Sequence, residues 1–128
     1  MEDKIKDIIN NDTGFIKKND FKIKELNKEK CILEYEIKED GLNPMGIVHG
    51  GVLFGLADTS AGILASNLGH NPLTVNVSMD FIRPAKLKKI LAIASVLKKG
   101  KTIGFFEVKI IDENELLIAS AHINMFNQ

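Results

Sequence analysis

Gly50-Gly51-Val52-Leu53-Phe54-Gly55-Leu56-Ala57-Asp58-Thr59-Ser60-Ala61-Gly62-Ile63-Leu64-Ala65-Ser66-Asn67-Leu68 is the stretch on which the fold turns. It reads as one helix, with large apolar residues spread around the whole circumference. The small residues Gly55, Ala57, Ala61, Gly62 and Ala65 stand between them. A helix without a polar face is buried in a large core or lies in a membrane. The run falls short of the ~20 consistently apolar residues that a membrane span needs, and Asp58 sits at its centre. The expectation is therefore a central helix with a sheet wrapped around it, the small residues letting strands approach closely. From Gly41 to Met79, Asp58 is the only Asp, Glu, Lys or Arg, although such residues are 27% of the chain.

The flanks supply that sheet. Leu73–Ile82 alternates, with Leu73, Val75, Val77, Met79 and Phe81 on one face and Thr74, Asn76, Ser78 and Asp80 on the other. Phe21–Asn27 and Lys30–Glu39 read as a hairpin of two strands, with Cys31, Leu33, Tyr35 and Ile37 on one face. Leu87–Leu97 is apolar on both faces, which predicts cover on both. Thr102–Ile111 and Leu116–Phe126 follow, joined by hairpin-type connections at Lys98–Lys101 and Asp112–Glu115. Ile5, Ile8 and Ile9 mark a short amphipathic helix over Met1–Asn11. Repeats, low-complexity tracts and linkers are absent from the sequence, and 128 residues suit one domain, 1–128.

Composition excludes several classes of function. Seventeen Lys and Arg balance seventeen Asp and Glu, against a dedicated nucleic-acid binder, which relies on excess positive charge. A single cysteine allows no intramolecular disulfide and no Cys-rich zinc site. Met1–Asn11 is charged and lacks the apolar core of a signal peptide, so the expected compartment is the cytoplasm, with no membrane association. The three histidines, His49, His70 and His122, show no metal-ligand spacing.

Ahead of the helix runs Asn43-Pro44-Met45-Gly46-Ile47-Val48-His49, and Asp58 follows His49 by nine residues. Two glycines at a helix start leave backbone N–H groups uncovered at the positive end of the macrodipole. Such a terminus can hold the oxyanion of an acyl-transfer intermediate; close packing or a tight entry turn would also call for glycine. His49 either acts as a base or orients the loop by bonding backbone. Asp58, roughly 12 Å along the axis from Gly50, is too deep to cap the helix. It is either a structural carboxylate held by hydroxyls and amides or a catalytic base or nucleophile in an apolar pocket. Arg83, Lys86, Lys98, Lys99 and Lys101 gather at strand ends, where they could meet phosphates or only solvate the hairpins.

Asn43-Pro-x-Gly-x-x-His49-Gly50-Gly51, then Asp58, then Phe81-x-Arg83-Pro84-Ala85, resembles the hotdog-fold acyl-CoA thioesterases of the phenylacetate-pathway (PaaI-like) type. The resemblance covers most of the chain. It implies an α+β hotdog fold, a curved antiparallel sheet around a central helix, and hydrolysis of an acyl-CoA with an aromatic or medium-chain acyl group. It also implies that Asp58 is nucleophile or general base, that Asn43 positions the thioester or water, and that the Gly50 N–H polarises the carbonyl. Thr74 matches a hydroxyl that the neighbouring subunit contributes to assist the water. His49 joins this catalytic set, while Gly51, Arg83, Lys86, Lys99 and Lys101 are candidates for binding the substrate. A homodimer with interface sites, usually paired into a tetramer, follows from the same resemblance. The chemistry needs no metal and no separate cofactor, since coenzyme A is part of the substrate. A non-catalytic acyl-CoA-binding or sensing domain is the alternative, and a hydratase acting on the same esters a further one. The depth of the acyl pocket would depend on Ile63, Leu64, Leu68 and strand residues of two subunits.

Overall fold

A computed structural model describes residues 1–128. Two short helices, α1 (Glu2–Asn10) and α2 (Phe15–Asn19), precede the strands β1 (Lys22–Leu26) and β2 (Lys30–Glu36). The long helix α3 (Gly50–Asn67) follows, and then β3 (Pro72–Phe81), β4 (Lys89–Lys99), β5 (Ile103–Asp112) and β6 (Leu117–Asn127). All strand pairings are antiparallel, in one six-stranded sheet of order β1-β2-β4-β5-β6-β3. This is the α+β arrangement expected from the sequence, a sheet packed around one long helix.

Alternation supplies the core. Cys31, Leu33 and Tyr35 of β2, Ile90, Ala92 and Ala94 of β4, Phe106, Val108 and Ile110 of β5, and Ala119, Ala121, Ile123 and Met125 of β6 are buried. They meet Leu53, Leu56, Ala57, Ala61, Ile63, Leu64 and Ala65 of α3. Small residues on the central strands bring the sheet close to the helix axis. The polar groups drawn in with α3 are partnered locally: Ser60 Oγ donates to Ala57 O at 2.8 Å, and Asn67 Nδ2 donates to Asn27 O at 3.1 Å. Gly69, with φ +87°, turns the chain out of the helix in a left-handed conformation.

Four expectations need correction. The helix is not enveloped all round. Gly51 and Phe54 are exposed, and Asp58, Thr59, Gly62 and Ser66 only half-buried, along the side away from the sheet. The helix α2 was not foreseen; it lays the Phe15 ring on Gly55, where an added Cβ would stand 2.7 Å from the ring. The strand Lys30–Glu39 stops at Glu36; Ile37 N–H makes one more bond in the β4 register, to Lys88 O, and the chain then enters a 3₁₀ turn at Glu39–Gly41. The second face of β4 has no cover within the chain: Leu91 and Ile93 are half-buried and Leu97 is exposed.

Two outcomes are expected. Leu56 is fully buried at the middle of α3, so Leu56→Ala should cost about 2–5 kcal/mol, read by denaturant titration. Cys31 is also fully buried, and desolvation pushes its thiol from the ordinary 9.0 up to about 12. The native thiol should resist thiol reagents at neutral pH and react only on unfolding. In the unfolded chain the thiol ionises at the lower value. Its contribution to stability is therefore complete below pH 9 and is lost as pH rises toward about 12.

Candidate active site

The loop into α3 is built by backbone and one side chain. Asn43 N–H donates to Ile47 O at 2.8 Å. Asn43 Oδ1 accepts from Met45 N–H at 2.9 Å and Ile47 N–H at 3.3 Å. Gly46, at φ +80°, closes the turn. His49 N–H donates to Gly41 O at 2.8 Å, and Val48 N–H to Ala85 O at 3.1 Å. The Arg83-Pro84-Ala85 segment thus anchors this loop. Asn43 spends its carbonyl oxygen on the turn and keeps its NH2 group unbonded within the chain.

His49 is the N-cap of α3, and its Nδ1 accepts from Gly51 N–H at 2.7 Å. That bond requires an unprotonated Nδ1 and removes Gly51 N–H from the donors available to a ligand. It also explains the second glycine, since a Cβ on residue 51 would stand 2.9 Å from the same nitrogen. Val52 and Leu53 N–H both turn to His49 O. Gly50 N–H is left without an acceptor in the chain. A Cβ on Gly50 would meet only the Phe81 ring, at an ordinary 3.5 Å, so crowding does not account for glycine there. The two glycines have different reasons: Gly51 makes room for a histidine ring, and Gly50 leaves a donor uncovered.

A cavity of about 420 Å³ opens over this donor, lined by Asn43, Gly50, Leu53, Phe81, Arg83 and Ala85 among others. Arg83 Nη1 donates to Leu117 O at 2.8 Å, which pins the guanidinium at the cavity wall. The wall residues Leu53 and Phe81 carried no assigned role in the sequence reading. The Phe81-x-Arg83-Pro84-Ala85 spacing is the signal for Phe81, whereas Leu53 is marked only as one of the apolar residues of α3.

Asp58 lies two turns further along α3, half-buried, and its Oδ1 accepts a 2.6 Å hydrogen bond from Thr74 Oγ1. Neither its Oδ2 nor a cation makes a further contact with it. One expectation about Thr74 is overturned. It does not sit on the outward face with Asn76 and Ser78, because the β3–β6 register slips between Thr74 and Asn76. The bulge at Val75 turns Thr74 inward beside Met125 and sends Leu73 and Val75 outward, both exposed. Thr74 and the Asp58 it bonds belong to the same chain, so the two side chains form one unit at the carboxylate end.

The remaining residues do not converge. Eight residues of helix keep Asp58 ~12 Å along the axis from Gly50, so one chain carries a donor end and a carboxylate end. Lys86 stands exposed just beyond Arg83, while Lys98, Lys99 and Lys101 stand exposed at the far end of β4. The length of that strand, on the order of 30 Å, separates the two groups, so the basic residues do not form one cluster within a chain. No His, Cys, Asp and Glu side chains stand in a group of three that could hold a metal. No helix is long and apolar enough to cross a membrane.

Known proteins share this architecture. The Escherichia coli PaaI protein from the phenylacetic acid degradation operon superposes with a TM-score of 0.89 over 95% of this chain and 88% of its own, at 23% identity. A Streptococcus mutans protein solved bound to acetyl CoA superposes with a TM-score of 0.82 over 84% of this chain and 88% of its own, at 25% identity. Human acyl-coenzyme A thioesterase 13 is 32% identical over 87 residues, which span 66% of this chain and 62% of the human protein. The thioesterase superfamily model matches residues 45–119, from the loop ahead of α3 into β6. The chain belongs to the thioesterase superfamily, as a thioester hydrolase of the hotdog fold.

Proposed function

We propose that residues 1–128 act as one acyl-CoA thioesterase domain that cleaves an acyl coenzyme A into a free acid and coenzyme A. Two copies of the chain would complete each site. The observation that carries the reading is the pairing of an unspent N–H at Gly50 with a Thr74-held carboxylate at Asp58. The acetyl CoA bound to the Streptococcus mutans relative supports the substrate class, as does the name of the human relative.

Thioester hydrolysis makes two demands on a protein: a donor for the carbonyl oxygen as it gains charge, and an activated nucleophile. Gly50 N–H, backed by the α3 dipole, donates to that oxygen. The free NH2 of Asn43 steadies the thioester or the water. Asp58 Oδ2 takes the proton of a water whose oxygen attacks the carbonyl carbon; the C–S bond then breaks and the thiolate of coenzyme A leaves with that proton. Direct attack by Asp58 Oδ2, giving a mixed anhydride that water opens, uses the same groups. The Thr74 hydrogen bond holds the carboxylate aimed in either case. Arg83 at the cavity wall suits the phosphates of coenzyme A.

A second copy answers the separation of the two ends. β3 is an edge strand, ten residues long, with one side unpaired and exposed Leu73, Val75 and Phe81 along it. Such an edge calls for a partner strand. Antiparallel pairing of two β3 strands about Val77 sets Thr74 of one copy opposite Asp80 of the other. Asp58 of the first then approaches the Phe81-covered Gly50 of the second.

Asp58→Asn keeps the shape of the side chain but takes no proton and attacks nothing. Turnover of acyl-CoA, followed by thiol release, should fall on the order of 10²–10⁴-fold with the fold retained; turnover at the wild-type rate would make the carboxylate structural. Mixing tests the shared site. Asp58→Asn and Asn43→Ala chains, each nearly inactive, should regain about a quarter of wild-type activity after co-refolding, because half the dimers are mixed and each holds one intact site. Activity that stays at the level of the separate variants would place all the machinery within one chain.

A further inference from the structure

A second cavity, of about 280 Å³, lies between the N-terminal helices and α3. Ile5, Ile8 and Ile9 of α1 and Ile16 of α2 face it from one side, with Gly62 and Ile63 of α3 on the other. No charged side chain lines it. Folded proteins normally fill such space with side chains, yet none of the α1 residues is fully buried and Ile8 is 56% exposed. The helix therefore roofs an apolar space that its own isoleucines leave unfilled.

The position of this cavity relates it to Asp58. Thr59, next to Asp58 in the chain, lines it, and so does Pro72, two residues before the Thr74 that binds the carboxylate. Gly62 is one turn on from Asp58 on the same side of α3. The cavity thus begins one helical turn from the carboxylate and leads away from Arg83 and the Gly50 end. Hydrocarbon is the chemistry that such a lining accepts. Its volume sits at the low end of small-molecule pockets, ~300 Å³, which suits a short or medium unbranched chain.

We propose that this cavity takes the acyl chain of the thioester, and that α1 sets the chain length accepted. The proposal rests on the thioesterase reading above and deepens it. Of the residues named earlier for pocket depth, Ile63 lines this space, whereas Leu64 is fully buried in the core.

Acyl-CoA esters from acetyl to dodecanoyl provide the test. Ile8→Trp, a change at an exposed position, adds bulk to the cavity; it should lower the ratio of octanoyl-CoA to acetyl-CoA kcat/KM by about tenfold or more. Ile9→Ala should move the optimum to longer chains. Hydrogen exchange of the wild-type protein supplies a readout independent of turnover. The amides of Glu2–Asn10 should gain protection with the non-hydrolysable thioether S-octyl-coenzyme A and not with coenzyme A. An unchanged chain-length profile in both variants, or equal protection of α1 by the two probes, would overturn the proposal. Failure of the wild-type protein to hydrolyse any ester would count against the thioesterase reading alone, and the exchange result would then decide the cavity.

Discussion

A long helix with no continuous polar face has to be taken out of water on more than one side at once, and that demand organises this protein. α3 contributes nine of its eighteen residues to the buried set. A flat sheet could cover only one stripe of it. The curved sheet brings β2, β3, β4, β5 and β6 against the same helix, with alanines on β4 and β6 where the approach is closest. Burial of apolar surface at roughly 25 cal/mol per Å² makes this one helix the common partner of nearly every strand. The small residues that permit the close fit also limit how much the helix can cover by itself. α1 and α2 complete part of the remaining side.

The elements of the sheet were legible because alternation and helical periodicity answer to different geometries. Four of the six strands, β2, β3, β5 and β6, alternate with a period of two, and α3 is long enough to exclude a strand. The errors came where one local event changed the outcome. A single bulge at Val75 reverses the faces of Thr74 and Leu73, and nothing in the alternating pattern Leu73-Thr74-Val75-Asn76-Val77 marks it. α2 spans only five residues, Phe15–Asn19, too short for a periodic signal. Leu91 and Ile93 looked doubly covered because hydrophobicity reports a preference for burial and does not say which chain supplies it.

The candidate site was legible as a list of residues and less so as an arrangement. Asn43, His49, Gly50 and Asp58 stand out by type and spacing. Their spacing along the helix already separates Gly50 from Asp58, and no motif brings them together. The different work of the two glycines emerged only from the His49 Nδ1 bond to Gly51 N–H. Likewise, lysines adjacent in the list of strand ends lie at opposite ends of the sheet, because sequence proximity to a turn says nothing about which end of the molecule that turn occupies.

The strand order carries a consequence for how the chain comes together during synthesis. β3 is made third but has only β6, the last strand, as its neighbour in the sheet. While β4 and β5 are being translated, β3 has no native strand to join within its own chain, and the apolar flank of α3 beside it stays open. The nascent chain therefore carries a ten-residue strand with both sides free through the time needed to make some forty-five further residues, several seconds at about 5–20 residues per second. Neighbouring nascent chains on one messenger would present the same free strand to each other in that interval.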